Sequence, residues 1–157
     1  MKYAHSIKLT AFSYENEDSK SILEALLKFF PFSLEDSKVI LNRTEAVGFN
    51  DKKIEVFEVT LVKDNLIDQF LRNLLNNMDK NQKEQILNQL ESRLDKNLDF
   101  FVRFDKNSWI KDERLILTDS GKCFHLKIRL AAFPKKREIA LNLAKKDKNN
   151  YTIVVRS

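Results

Sequence analysis

Glycine is scarce in this chain: Gly48 and Gly121 are the two present in 157 residues. Loops that cradle phosphates need glycines within a few positions of one another, where backbone amides must approach the anion. Two glycines this far apart exclude P-loop and dinucleotide fingerprints. Cysteine is rarer still, and the lone Cys123 excludes an internal disulfide. The first dozen residues lack the continuous apolar run of a signal peptide, so the expected location is the cytoplasm, with no membrane role. Pro31 and Pro134 each fall at an element boundary, and no linker, repeat or low-complexity stretch interrupts the pattern. A single α+β domain over residues 1–157 is expected. No paired carboxylates, Ser-His-Asp spacing or metal cluster stands out. No enzymatic activity, cofactor or metal is therefore expected.

What the chain does have is positive charge, and it is unevenly placed. The net charge is +5, yet residues 1–121 carry 18 Lys and Arg against 21 Asp and Glu, net −3. Residues 122–157 carry the other 10 basic side chains against 2 acidic ones, net +8. A local excess of this kind suits a polyanion. Lysine outnumbers arginine 7 to 3 in the basic segment, which favours backbone contact over base readout.

Residues 3–13 alternate as a half-buried strand, with His5, Ile7, Leu9 and Ala11 on one side. The period then changes. Ile22, Leu23, Leu26, Leu27 and Phe30 recur at helical spacing behind a cap at Asp18 or Ser21, and Pro31 ends that helix. Residues 37–47 and 53–63 read as strands joined by a hairpin at Gly48-Phe49-Asn50-Asp51. Asp64 is the expected cap of a helix buried through Ile67, Phe70, Leu71, Leu74, Leu75 and Met78, and a second helix carries Ile86, Leu87, Leu90 and Leu94. This pair lacks the outward Arg, Asn and Gln of a DNA-reading helix. Phe100, Val102 and Phe104 make a core-facing strand, Asp105 caps a short turn through Trp109, and residues 114–118 lead into a hairpin at Asp119–Lys122. On residues 123–132, Phe124, Leu126, Ile128 and Leu130 face the core, leaving Cys123, His125, Lys127 and Arg129 on the other side. A last helix over 135–147 and a strand over 151–155 complete the chain.

Cys123 and His125 share a strand face, but with no third group they read as ordinary strand residues. Phe101-Val102-Arg103-Phe104 matches the tail of the aromatic submotif by which RNA-recognition motifs stack bases. Asp99 stands where that submotif has its other aromatic, so these phenylalanines read mainly as core. Phe101 and Arg103 nevertheless project away from Phe100 and Val102, toward an exposed sheet face.

Three segments carry a resemblance over essentially the whole chain: HSIKLTAF from His5 to Phe12, Arg103-Phe104-Asp105-Lys106, and LTDSGKCFHLKIRLAAFPKKREIAL from Leu117 to Leu141. They resemble an archaeal family described as RNA-binding proteins or predicted exosome subunits. The resemblance implies a two-layer α+β sandwich, with a mostly antiparallel sheet covered on one face by helices, similar to the large-subunit ribosomal protein that binds 5S RNA. It implies no catalytic residues. With the basic segment, it points to a non-enzymatic RNA-binding protein accessory to RNA processing or the exosome. Lys127, Arg129, Lys135, Lys136 and Arg137 would contact phosphates, with Lys122, Phe101 and Arg103 as candidate further contacts. Five neutralised phosphates correspond to a slope of log affinity on log salt of roughly −3.5 to −4.5. The alternative is an assembly module that meets a protein partner or forms a homodimer.

Overall fold

The computed structural model describes residues 3–132 and 135–145. Pro134 and the strand expected over 151–155 lie outside them. The chain runs β1 (Ala4–Tyr14), α1 (Ser19–Leu27), β2 (Leu41–Val47), β3 (Lys53–Leu61), α2 (Asp64–Asn77), α3 (Lys80–Asn88), α4 (Leu90–Arg93), β4 (Asp99–Asp105), α5 (Lys106–Asp112), β5 (Cys123–Leu130) and α6 (Arg137–Lys145). The five strands form one sheet in the order β2-β3-β1-β5-β4, and every neighbouring pair is antiparallel. This is the expected α+β architecture of a sheet with a helical layer.

Period-two alternation sets the two faces of the sheet. Ile7, Leu9 and Ala11 of β1, Phe57 and Val59 of β3, Phe124 and Leu126 of β5 and Phe100, Val102 and Phe104 of β4 are buried in one core. The helices close that core with their apolar stripes: Ile22, Ala25 and Leu26 from α1, and Leu66, Ile67, Phe70, Leu71, Leu74 and Leu75 from α2. Phe29 lies between the layers, with ring centroids 4.4 Å from Trp109 and 5.1 Å from Phe124. Aromatic pairs at such separations add about 1 kcal/mol each beyond the area they bury. The Trp109 indole N–H donates to the Ala25 carbonyl at 2.7 Å, so α5 is fastened to α1 without leaving a buried donor unmet.

Several local expectations change. The helix α1, capped by Asp18, stops at Leu27; Phe29 and Phe30 continue in a tighter turn, donating to the carbonyls of Leu26 and Leu27. Helix α2 begins at Asp64 itself, with Lys63 at the cap position, so Asp64 acts in the first turn, where a carboxylate favours the helix dipole. His5 is exposed rather than aligned with Ile7, because the pairing of β1 with β5 slips between Ala4 and Ser6. One extra residue there reverses the alternation.

Residues 114–118 do not form a hairpin with β5. Leu117 bridges Phe104 on the outer side of β4, supported by Asp105 N–H to the Ile116 carbonyl at 2.7 Å and Thr118 N–H to the Arg103 carbonyl at 3.1 Å. Both this segment and β5 run antiparallel to β4, so they flank it in parallel, and the turn at 119–122 passes over its end. The β2–β3 hairpin forms as expected. Its left-handed residues are Asn50 and Asp51 (φ 62° and 57°), while Gly48 is extended. A Cβ at Gly48 would lie 2.7 Å from Ile54 Cδ1, the free end of a side chain that would have to turn aside.

Candidate nucleic-acid interface

With the helices on one face, the other face of the sheet is open. Its side chains form rows across the strands, because antiparallel partners face the same way. One row runs Asn42, Glu58, Thr10, His125, Arg103; the next runs Thr60, Lys8, Lys127, Phe101; a third holds Ser6, Arg129 and Asp99. Phe101 and Arg103 are thus on the exposed face, beside two of the basic residues of β5.

The basic residues singled out by sequence are not equivalent here. Asp99, 2 % exposed, accepts from Arg129 Nε at 3.1 Å and Nη2 at 3.4 Å, and Lys127 Nζ stands 3.5 Å from the same carboxylate. That hydrogen bond raises the Arg129 pKa further above its ordinary value. One acid therefore occupies two of the five residues expected to hold phosphates. Arg137 is also engaged: Nη1 donates to the Leu94 carbonyl at 3.1 Å and Nη2 to the Glu91 carbonyl at 2.6 Å. A guanidinium at these carbonyls satisfies the end of α4, so Arg137 docks α6. The helix starts at Arg137, which places Lys135 and Lys136 before it rather than in its first turn. Lys135, Lys136 and Lys122 are exposed, and their ammonium groups meet no partner among the described residues.

A cleft of about 490 Å³ opens beside β4, lined by Phe101, Arg103, Arg93, Gln89, Thr118 and Asp119. Arg93 was not singled out by sequence. Its Nε and Nη2 donate to Gln89 Oε1 at 3.1 and 2.6 Å, and Nη1 donates to the Phe101 carbonyl at 3.3 Å, which fixes the guanidinium against the cleft wall. Burial lowers the Arg93 pKa, and Arg103 lowers it further, against the opposing charge of Asp119. Arg103 has no hydrogen bond or ion pair among the described residues, whereas Phe101 is 37 % exposed. Such a guanidinium next to a partly exposed ring is a suitable seat for a nucleotide, since one group takes the phosphate and the other the base face.

Beside it, Cys123 Sγ lies 3.4 Å from His125 Nε2. Burial raises the thiol pKa, and burial with the Arg103 and Lys106 charges lowers that of the imidazole. Both shifts favour the neutral pair over a thiolate and imidazolium. Among the described residues, no group of three or more His, Cys, Asp or Glu could hold a metal ion, and no helix is long and apolar enough to cross a membrane.

A family model described as RNA binding matches residues 6–130. The chain belongs to this RNA-binding family. An RNA-binding protein of Pyrococcus abyssi is 28 % identical over 135 residues, covering 86 % of this chain and 87 % of that one. The crystal structure of a DUF54 protein from Archaeglobus fulgidus matches with a TM-score of 0.80 at 30 % identity, over 90 % of this chain and 96 % of the other. A DUF54 protein from Methanothermobacter thermautotrophicus follows at 0.71 and 26 %, over 90 % and 95 %. The span matched by the RNA-binding family holds the sheet, apart from the first two residues of β1, and the cleft, and it ends before Lys135, Lys136 and Arg137.

Proposed function

We propose that the protein binds single-stranded RNA on the open sheet face beside β4, with modest sequence preference. The observation that carries this reading is Arg103, without a partner among the described residues and beside the exposed Phe101 in a cleft whose other arginine is already fixed. A base stacks on Phe101, and Arg103 takes a phosphate with Arg93 behind it. Lys122, Lys135 and Lys136 extend the contact along the backbone as point charges. Lys127 and Arg129 contribute less, because Asp99 already holds them. Family membership and the Pyrococcus abyssi relative support RNA as the ligand class. On the same reading the protein has a ribosomal-protein-like fold and serves, without catalysis, as an accessory to an RNA-processing assembly such as the exosome. Crosslinking in cell extract would identify the RNA and the proteins attached.

The direct test is fluorescence anisotropy with a labelled single-stranded RNA at several salt concentrations. Arg103→Gln should weaken binding about tenfold and flatten the log–log salt slope by about 0.7, the value for one lost phosphate contact. Phe101→Ala should weaken it about five- to tenfold and leave the slope unchanged, since stacking releases no counterion. Two variants that bind like the parent would remove the cleft as the site. Absence of RNA binding by the parent chain would remove the reading itself.

A further inference from the structure

The two edges of the sheet are treated differently. Residues 116–118 cover the outer edge of β4 through the Leu117 bridge and its flanking hydrogen bonds, whereas nothing among the described residues pairs with the outer edge of β2. Proteins normally protect a free edge with charged side chains, above all lysine, with proline, with a bulge or by keeping the strand very short. β2 has no lysine, proline or bulge, and its seven residues, Leu41-Asn42-Arg43-Thr44-Glu45-Ala46-Val47, pair with β3 without a register slip. The charges it carries, Arg43 and Glu45, are of opposite sign and so do not repel a second copy of the same strand. Six of the seven are exposed. Apolar side chains gather at both ends: Ile40 is 74 % exposed, Val47 71 % and Phe49 95 %.

The strand is also self-complementary. We propose that β2 pairs with β2 of a second copy of this chain, antiparallel about a two-fold axis at Thr44, joining the two sheets edge to edge. In that register Arg43 faces Glu45 of the second copy and Leu41 faces its Val47, each twice by symmetry, while Asn42 faces Ala46 on the opposite side of the sheet. Moving the axis to Arg43 or to Glu45 sets like charges against each other, so charge selects the Thr44 register. Glu45 has its own reason for such a neighbour. Within the chain it lies opposite another acid, Glu55, and it makes no ion pair among the described residues. Arg43 already reaches Glu55 at 3.1 Å, and the second copy supplies the arginine that Glu45 lacks. This interface is independent of the RNA reading, because the cleft lies on the far side of the sheet, at β4.

Sedimentation velocity on the full chain without RNA tests the pairing, with circular dichroism confirming that each variant is folded. The parent should sediment as a dimer. Glu45→Arg and Arg43→Glu should each weaken dimerisation about tenfold or more, because two opposite-charge pairs become two like-charge pairs. Arg43→Glu also loses the Glu55 contact, so complementation is the decisive reading: an equimolar mixture of the two variants should form a heterodimer as readily as the parent dimerises. A fold defect cannot produce that rescue. A parent chain that stays monomeric at roughly 100 μM, as it would if β2 serves a different protein, overturns the proposal. So do single variants that dimerise like the parent, or a mixture that fails to pair.

Discussion

Asp99 shows how far one side chain can redirect a charge pattern. In sequence it is one acid before a strand; in the fold it holds both Lys127 and Arg129. Asp99→Asn keeps the shape but removes the charge that engages them. RNA binding should then tighten about three- to tenfold, and the salt slope should steepen by about 1.4 as two further phosphates are neutralised. Anisotropy titrations at two or more salt concentrations measure both. Unchanged affinity and slope would mean that Lys127 and Arg129 lie outside the RNA contact. Lys106 teaches the same lesson in the opposite sense. It belongs to the recognisable Arg103–Lys106 segment, yet it is 2 % exposed, with Nζ donating to the Phe12 carbonyl at 2.7 Å and to Glu17 at 3.1 Å. A lysine reads as surface charge until the end of β1 is known to meet the start of α5. Phe101 and Arg103 were readable because strand alternation alone decides which way they point. Arg93 was not, since no local period reveals that a four-residue helix will line a cleft beside β4.

Among the elements, the ones with strong periodicity were legible: β1, β4 and β5 by alternation, α1 and α2 by their apolar stripes, and α5 by its Asp105 cap, which accepts from Ser108 N–H at 2.9 Å. The segment 114–118 misled because a strand-like run followed by a turn suggests local pairing, whereas Leu117 found the other side of β4. Helix α6 was expected to present Arg137 to phosphate and instead uses it to dock on α4. Arg137→Lys separates these roles. It keeps the charge but loses the fork that reaches two carbonyls at once. Unfolding free energy should fall by about 1 kcal/mol, which lowers the melting temperature by about 2–4 °C in a chain of this size. The salt slope of RNA binding should stay the same, and amide exchange in α6 should quicken. A changed slope with unchanged melting would restore Arg137 to the phosphate surface.

For the whole molecule, the division into a −3 portion and a +8 portion is a property of the sequence, but the surface does not inherit it directly. Three of the five residues first expected on phosphate are engaged within the protein, and Arg103, from the acidic portion, has no hydrogen bond or ion pair among the described residues. The four cations of the proposed surface without a partner among the described residues, Arg103, Lys122, Lys135 and Lys136, predict a slope of about −3 for single-stranded RNA, below the magnitude that a count of charged residues suggests. A titration series across salt concentrations checks this, and a slope of −4 or steeper would show that the engaged residues are released on binding. The strand order could not be read in advance, because β1 pairs with β5 across most of the chain and no local signal encodes that partner.

The segment laid along β4 has one more effect. A sheet with two bare edges can keep recruiting copies and lengthen into a fibre, but here one of the two is already occupied by the chain's own residues 116–118. Among the described residues the fold is therefore monovalent in backbone hydrogen bonding, and the pairing proposed for β2 would be finished after a single addition.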